Sequence, residues 1–390
     1  MKPFGKHPSV MQFAAPHAGE TAVAGPSVIK LDDGETRVIA TAPRRALGIG
    51  VIGYGYWGPN LVRNFADIPG ARVVAVADLQ PRRLAQVSER HPDVFVTGDA
   101  DALLAREDVD AVVVATPIST HYSLGMSALA ADKHVLIEKP IAASADEARR
   151  LIAEAARRRR VLMVDHTFLY TGAVRRILEL VRSGVLGRIH YYDSVRVNLG
   201  LIQSDVSVLW DLAVHDLSIV DAVMPRPVGV MAHGVSHVPG HPENIAYLTL
   251  VFPTNQIAHL HVNWLAPVKV RRTLIGCQDK MVVYDDLEPS EKIKIYDCGA
   301  SLSQDPQSRE RLLVSYRKGD MWAPRLDAAE GLRTEALHFV ECITRGQRPL
   351  TDGHAGLRVV ETLEAAEQSM REGGRMVELP RTEEPDFRVS

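Results

Sequence analysis

Asp211 and His215 are the two residues whose types and spacing most clearly predict chemistry. They lie four positions apart, a spacing that on a helix puts both side chains on one face within reach of each other. A carboxylate beside an imidazole fixes its tautomer and raises its basicity, so His215 is predicted to be a general base that removes a hydroxyl proton. The helix could also begin between the two residues. The alternative is then a helix-capping aspartate with a histidine in the core.

Lys139 is a second residue with predicted chemistry. It follows the apolar run at 134–137 and precedes Pro140, which places it at the carboxyl end of a strand, where doubly wound folds bind ligands. An ammonium group there can stabilise a developing alkoxide. Taken without further information, the residues favour a surface lysine that closes a loop.

A glycine-rich turn follows the first apolar strand of the main domain. Gly53 permits a tight turn, Gly55 lets the backbone approach a pyrophosphate, and Gly58 lets the following helix pack closely on the strand. Asp78 ends the second strand, twenty residues beyond Gly58. Because a strand precedes the turn, a helix follows it and an acid is correctly spaced, the pattern favours dinucleotide binding over a glycine turn without a ligand.

The choice between the two coenzymes depends on Asp78. A carboxylate at this position accepts hydrogen bonds from the adenosine ribose hydroxyls and repels a 2′-phosphate, so NAD is predicted rather than NADP. Arg82 and Arg83 follow closely and could accommodate the phosphate.

Alternating strand and helix patterns position these residues. Apolar strands at 46–52, 71–77, 111–115, 134–137 and 161–164 alternate with helices, one of them opened by a capping-box pattern at Ser144 and Glu147. This alternation predicts an α/β Rossmann domain. Further along lie helices at 172–182 and 212–224, strand patterns at 189–197, 228–235, 245–252, 257–264, 270–275 and 280–284, and late helices at 330–345 and 356–371.

The second series predicts an α+β domain with a large, mostly antiparallel open sheet. The predicted organisation is an N-terminal extension at 1–44, a Rossmann domain at 45–166, a substrate and oligomerisation domain at 167–375 and a C-terminal tail at 376–390. The extension is expected to be a flexible tail up to about Ser27, followed by a short hairpin around Asp33 and Gly34.

Composition excludes several classes of protein. The chain has 390 residues, a formal net charge of -3 and three cysteines. This balance gives no reason to expect attraction to nucleic acid or an anionic membrane, and no apolar run reaches the roughly 20 residues of a membrane helix. Three cysteines cannot form a disulfide framework and fit a reducing compartment. A cytoplasmic enzyme is therefore expected.

No metal site is predicted. His233, His237 and His241 recur every fourth residue, but Pro239 and Gly240 interrupt any helix, and on a strand this spacing spans about 13 Å. His259 and His261 share a strand face without an acidic or sulfur ligand beside them.

Four motifs together resemble the glucose-fructose oxidoreductase, inositol dehydrogenase and rhizopine catabolism family of NAD(P)-dependent sugar oxidoreductases. They are the runs at 48–58, 115–121, 138–140 and 211–215, and the resemblance covers most of the chain from about Ala46 to Gly373. It implies a homodimer or homotetramer formed through the open sheet, and late helices that pack back on the Rossmann domain. It also implies that Lys139 points at the reacting hydroxyl, and this favours a catalytic role for that residue.

The resemblance completes the predicted site. The catalytic residues are Lys139, His215 and Asp211. His121 is predicted to contact the cofactor, and the alternative is that it caps the following helix. The predicted cofactor contacts are Gly53, Gly55, Tyr56, Trp57, Gly58, Asp78, Thr116, Pro117, His121, Glu138 and Lys139.

Five further residues are predicted to bind substrate. His166 and Tyr170 lie just after the Rossmann domain and would face the cleft, although a structural role at the domain junction is an equal alternative. Arg196 and Asn198 share one face of a strand, and Arg271 belongs to a small basic group. Arginine and asparagine in a cleft would suit a phosphorylated or heavily hydroxylated ligand.

Several segments look most like bacterial family members that oxidise nucleotide-linked sugars, namely 166–170, 194–199, 264–272 and 285–294. The resemblance thus implies a small-molecule substrate such as UDP-N-acetylglucosamine or its uronate, oxidised at C3. The alternatives are an inositol or free hexose dehydrogenase, an NADPH-dependent ketosugar reductase, and a sensor of NAD or sugar on the same fold. A sensor would not need Lys139, Asp211 and His215 together.

Overall fold

The computed structural model describes residues 45–200, 206–302, 314–317 and 319–380, together with two short strands nearer the N-terminus. These strands, β1 (Ser27–Lys30) and β2 (Thr36–Ile39), pair antiparallel and form the hairpin predicted around Asp33 and Gly34. The predicted N-terminal tail and residues 381–390 lie outside the described residues.

A six-stranded parallel sheet follows, as the alternating pattern predicts. The order across the sheet is β5-β4-β3-β6-β7-β8. Its elements are β3 (Leu47–Ile52), α1 (Gly58–Ala66), β4 (Ala71–Ala77), α2 (Pro81–Arg90), β5 (Phe95–Thr97), α3 (Ala100–Leu104), β6 (Ala111–Val114), α4 (His121–Ala130), β7 (His134–Glu138), α5 (Ala145–Arg158) and β8 (Leu162–Asp165).

The central strands of this sheet are buried on both faces, as expected where helices cover the two sides of a parallel sheet. In β4, five consecutive residues of the run ARVVAVA are buried, so the strand is apolar throughout instead of alternating. The predicted helix start at Ser144 is confirmed, since its side chain accepts the backbone N–H of Glu147. Strand β5 has only three residues, too few for a periodic signal, and the sequence analysis does not find it.

The rest of the chain builds a nine-stranded open sheet in which β9 and β12 are parallel and the other pairs antiparallel. The order is β18-β15-β14-β13-β9-β12-β11-β10-β19, and β16 and β17 form a separate pair. The elements are α6 (Gly172–Arg182), β9 (Ile189–Leu199), α7 (Val214–Val223), β10 (Gly229–Val235), β11 (Ile245–Val251), β12 (Ile257–Asn263), β13 (Leu265–Cys277), β14 (Met281–Asp285), β15 (Ile293–Tyr296), β16 (Gly299–Leu302), β17 (Val314–Arg317), β18 (Met321–Trp322), α8 (Gly331–Arg345), α9 (Gly353–Arg371) and β19 (Val377–Glu378).

The late helices pack back against the parallel sheet's helices. Phe339 of α8 meets Phe65 of α1 edge to face, with ring centroids 6.3 Å apart. Arg149 of α5 lies 2.7 Å from the carboxylate of Glu361 in α9. Strand β19 falls in the predicted C-terminal tail but pairs with β10 at the edge of the large sheet. Its two residues give no sequence signal of a strand.

Candidate active site

Two glycines of the turn between β3 and α1 are required for the turn to fold, whether or not a ligand binds. Gly53 has a φ of 99°, in the left-handed region, and a Cβ there would lie 2.4 Å from the carbonyl oxygen of Ala115. A Cβ on Gly58 would lie 2.4 Å from the carbonyl oxygen of Gly53. The turn can therefore fold tightly and carry α1 close to the strand only with glycine at both positions.

Gly55 differs from its two neighbours. A Cβ there would come no closer than 3.7 Å to a protein atom, the guanidinium of Arg83. Packing of the protein therefore does not require this glycine, and its missing side chain leaves open space over the turn. No side chain caps α1, whose N-cap position is Trp57. Open space at the N-terminus of a helix that no side chain caps fits a dinucleotide pyrophosphate. The exposed rings of Tyr56 and Trp57 follow Gly55 in this turn.

Asp78 lies directly beside the glycine turn. Its carboxylate accepts the backbone N–H of Tyr54 at 2.7 Å and that of Gln80 at 2.8 Å, and the guanidinium of Arg83 lies 3.3 Å away. These bonds fix the end of β4 against the turn, and they leave the carboxylate only 4% exposed. Arg82 is exposed to solvent.

His121 and Glu138 are predicted cofactor contacts, and both are buried with their polar atoms bonded to the protein backbone. His121 is 1% exposed, with its ring nitrogens 2.8 Å from the carbonyl oxygens of Thr116 and Pro140. It therefore ties the loop of Thr116 to the loop that carries Lys139. Glu138 is also buried and accepts the backbone N–H of Lys139 at 3.1 Å. Both act on the backbone of the site, because their polar atoms are already used within the protein.

Lys139 and Asp211 come together although 72 residues separate them. The Lys139 ammonium donates to the backbone carbonyl of Asp211 at 2.9 Å and to its carboxylate at 3.2 Å. The other carboxylate oxygen accepts the indole N–H of Trp264 at 3.0 Å. The side chain of Lys139 is only 14% exposed, so this carboxylate holds a largely buried cation in a defined place.

The predicted hydrogen bond between Asp211 and His215 is not found. The Asp211 carboxylate is occupied by Lys139 and Trp264, and Nδ1 of His215 has no partner among the described residues. The reason is local: residues 209–213 form a π-helical turn before α7 begins. A π turn contains an extra residue, so the alignment that an α-helix gives to positions four apart does not hold.

His215 nevertheless lies close enough to Lys139 for the charge of the lysine to act on its imidazole. Its ring packs on that of Phe168, with centroids 4.9 Å apart. Burial, followed by the positive charges of Lys139 and Arg196, lowers the pKa of His215 well below its usual value. The imidazole is therefore neutral at physiological pH and can accept a proton.

Arg196 is predicted to contact substrate, but its charge is already paired. It is 3% exposed, and its Nε donates to the carboxylate of Asp216 at 2.6 Å. Its guanidinium stacks over Phe168, 4.4 Å from the ring centroid. The sequence predicts that Arg196 and Asn198 share a strand face that is turned to the cleft. In the structure α7 supplies Asp216 as the partner of Arg196, so the charge of this arginine is used within the protein.

Arg271 and Asn198 are more open. Arg271 is the cross-strand neighbour of Arg196, pairs with Asp286 at 3.2 Å and has a side chain 28% exposed. Asn198 is partly buried. Among the predicted substrate residues, these two keep accessible polar surface.

His166 and Tyr170 are buried. Tyr170 is 3% exposed, and its hydroxyl lies 3.0 Å from that of Thr351. It fastens the junction to the segment before α9, which agrees with the structural alternative for this residue. His166 is 1% exposed, neither of its ring nitrogens has a partner among the described residues, and burial lowers its pKa to about 4. Its imidazole is neutral and lies close enough to sense the charge of Lys139.

Three residues of the cleft were missed by sequence reasoning. Asp216 holds Arg196, Trp264 holds Asp211, and Phe168 lies between His215 and Arg196. The sequence places Asp216 next to His215 and so on another face of the helix. Nothing in the sequence around Trp264 or Phe168 distinguishes them from ordinary core aromatics.

Neither a metal cluster nor a membrane helix occurs in the described part of the chain. No group of three or more histidine, cysteine, aspartate or glutamate side chains has an arrangement that could hold a metal ion there. Within the same residues, no helix combines the length and the apolarity that a bilayer-spanning segment needs.

Family models match both parts of the molecule. The model described as an oxidoreductase family with an NAD-binding Rossmann fold matches residues 47–166. The model of the GFO/IDH/MocA C-terminal domain matches residues 174–283. Together they cover the parallel sheet and the greater part of the open sheet.

Individual relatives agree with this match. A UDP-N-acetylglucosamine 3-dehydrogenase of Acidithiobacillus ferrooxidans is 30% identical over 315 residues, which are 80% of this chain and 93% of the relative. A solved structure of that enzyme superimposes with a TM-score of 0.70 at 28% identity, covering 83% of this chain and 97% of that one. An inositol 2-dehydrogenase of Rubrobacter xylanophilus is 40% identical over 144 residues, 36% of this chain and 41% of the relative. The chain thus belongs to the glucose-fructose oxidoreductase, inositol dehydrogenase and MocA (GFO/IDH/MocA) family of oxidoreductases.

Proposed function

We propose that the protein oxidises a ring hydroxyl of a nucleotide-linked sugar to a ketone with NAD, the substrate being UDP-N-acetylglucosamine or its uronate and the position C3. The observation that carries this proposal is the likeness to the UDP-N-acetylglucosamine 3-dehydrogenase, which extends through both sheets. The grouping of Lys139, Asp211 and His215 in one cleft supports it, because alcohol oxidation needs a proton acceptor beside a group that stabilises an alkoxide.

In the proposed reaction, the protein's own residues manage the proton. His215 is neutral, so its imidazole accepts the hydroxyl proton of the sugar. The ammonium of Lys139 stabilises the oxygen as negative charge develops on it, and Asp211 keeps that ammonium in place. The bound nicotinamide supplies the acceptor for the hydride. Phe168 and the paired Arg196 form the wall of the cleft behind His215.

The proposed preference for NAD rests on Asp78. Its carboxylate is fixed by backbone N–H groups at the end of β4, and Arg83 is already paired with it. The negatively charged 2′-phosphate of NADP would lie beside this carboxylate and be repelled by it. We therefore propose NAD as the coenzyme in the cell and expect weaker binding of NADP.

A substrate panel tests the proposal. The purified full-length protein is given NAD with UDP-N-acetylglucosamine, its uronate, myo-inositol or free glucose, and formation of reduced coenzyme is followed by absorbance. We expect kcat/KM for one UDP-sugar to exceed that for each free sugar by at least about 100-fold, the discrimination that additional fixed polar contacts provide. Equal or better turnover of inositol would overturn the assignment of the substrate.

One observation favours a second candidate, a dehydrogenase of inositol or a free hexose. The identity with the inositol 2-dehydrogenase of Rubrobacter xylanophilus is the higher of the two relatives described above. That alignment, however, spans 36% of the chain, too little to include both the coenzyme domain and the complete substrate cleft. The same panel distinguishes the two candidates.

A further inference from the structure

Three carboxyl groups are buried together behind Lys139. Glu138 is 8% exposed, Asp165 3% and Glu335 0%. Glu138 and Asp165 end the neighbouring strands β7 and β8 in register with each other. Glu335 reaches them from α8, almost 200 residues further along the chain. The residue after Glu138 is the lysine of the proposed active site.

The described part of the protein offers this cluster too few hydrogen-bond donors for all three carboxyl groups to be ionised. Neither carboxyl oxygen of Glu335 has a hydrogen-bond partner of normal geometry among the described residues, and the one hydroxyl that acts on it, that of Thr167, donates to Asp165. Asp165 accepts the hydroxyl of Thr167, and Glu138 accepts the backbone N–H of Lys139. The nearest cation is Lys139, whose ammonium is bound to Asp211 instead. Buried carboxyl groups in contact can satisfy one another only by sharing protons.

We propose that Glu138 and Glu335 are protonated at neutral pH and donate to Asp165, and that this hydrogen-bonded cluster positions the backbone of Lys139. The inference rests on the proposed function for the role of Lys139, whereas the protonation itself does not. Burial, and then the neighbouring Asp165, raise the pKa of both glutamates well above their usual value, in agreement with the geometry.

Among the described residues, no cation acts on Glu335. The groups that interact with it are Asp165 of β8, Glu138 of β7, and Thr167 and Tyr170 in the turn before α6. On α1, Arg63 forms a two-pronged bond with Glu330 at the N-terminus of α8. Glu330, exposed and paired with Arg63, is therefore a matched control for Glu335, which is buried beside other acids in the same region of α8.

Thermal unfolding of the full chain between pH 5 and pH 8 tests the protonation, comparing E335Q with E330Q. A carboxyl group whose pKa is raised by folding stabilises the folded state fully below its unfolded pKa, and this contribution is lost as the pH rises towards the folded pKa. Because glutamine does not titrate, the Tm of E335Q should rise relative to wild type with pH, by on the order of 2 °C per pH unit.

The control should behave differently. Arg63 lowers the pKa of Glu330, so the stabilisation from this pair is complete above the unfolded pKa and is lost only in more acidic solution. The Tm difference between E330Q and wild type should therefore stay constant across the same range. A constant difference for E335Q as well, or a Tm of E335Q below wild type that does not recover with pH, would overturn the proposed protonation.

Kinetics test the positioning role. E335A removes the hydrogen bond, so we expect kcat to fall at least tenfold while the KM for NAD is unchanged. E335Q can still donate to Asp165 and should restore most of this loss. A wild-type kcat in E335A would exclude the positioning role, whatever the substrate. Since the unfolding experiment needs no substrate, an inactive UDP-sugar panel would contradict the proposed function without affecting this inference.

Discussion

The glycine turn and the cleft around His215 are built in opposite ways. The turn is made of backbone: Gly53 and Gly58 are there because a single added carbon would collide with a carbonyl oxygen. Asp78, the one acid beside it, is held mainly by N–H groups of the chain. The cleft is made of charged side chains that come from distant segments and are buried in pairs, such as Arg196 with Asp216.

This difference determines what damages each region. The turn should tolerate changes of its exposed side chains and fail when atoms are added, because open space is the feature that a dinucleotide needs. The cleft should fail when one member of a pair is removed, because the other member is left as an uncompensated buried charge. Substitutions of His215, Arg196, Gly58 and Gly55 separate these two modes of failure.

The largest expected effect is on the chemical step. His215→Ala removes the proposed proton acceptor, and we expect kcat to fall by about 10²–10⁴-fold, the usual contribution of a general base. Affinity for NAD should be unchanged, since His215 lies apart from the glycine turn. Calorimetric titration with NAD and steady-state kinetics measure the two quantities. His91→Ala, at the C-terminus of α2, serves as the control, and full activity in His215→Ala would remove the proposed mechanism.

Arg196→Met should mainly reduce stability. The substitution leaves the carboxylate of Asp216, which is 2% exposed, without its cation. We expect a loss of about 3–5 kcal/mol in the free energy of unfolding, measured with denaturant. Arg63→Met breaks an exposed pair and should cost about 0–1 kcal/mol. Equal losses in the two variants would show that burial of the Arg196 pair has no energetic consequence.

The same contrast explains what could be predicted from the sequence. The parallel sheet, the glycine turn and Asp78 come from signals within a few tens of residues, in which hydrophobic period and spacing suffice. The pairing of Lys139 with Asp211 spans 72 residues. Both residues were selected by their motifs, but the motif suggested His215 as the partner, and only the π-helical turn at 209–213 decides otherwise.

Burial of polar side chains was the least predictable property. The alternation of Arg196 with apolar residues suggests an arginine that faces a ligand, and only the packing of α7 on the sheet reveals Asp216 as its partner. Tyr170 is a residue type common in clefts, yet it is 3% exposed. Glu335 is a residue type common on helix surfaces, yet it is 0% exposed. Which side chains lie between packed elements depends on tertiary contacts that no local period encodes.

The smallest expected effect is that of adding a methyl group at Gly55. Compared with the same change at Gly58, it separates a glycine required for folding from a glycine required for coenzyme binding. In Gly58→Ala the new Cβ would lie 2.4 Å from a backbone oxygen, so folding itself should be destabilised. In Gly55→Ala it meets no protein atom closer than 3.7 Å. The Tm should therefore stay near that of wild type while the affinity for NAD falls by about 5–150-fold, the equivalent of about 1–3 kcal/mol of overpacking. Unaltered NAD binding in Gly55→Ala would mean that the coenzyme does not lie over this turn, and the contrast between the two regions would lose its physical basis.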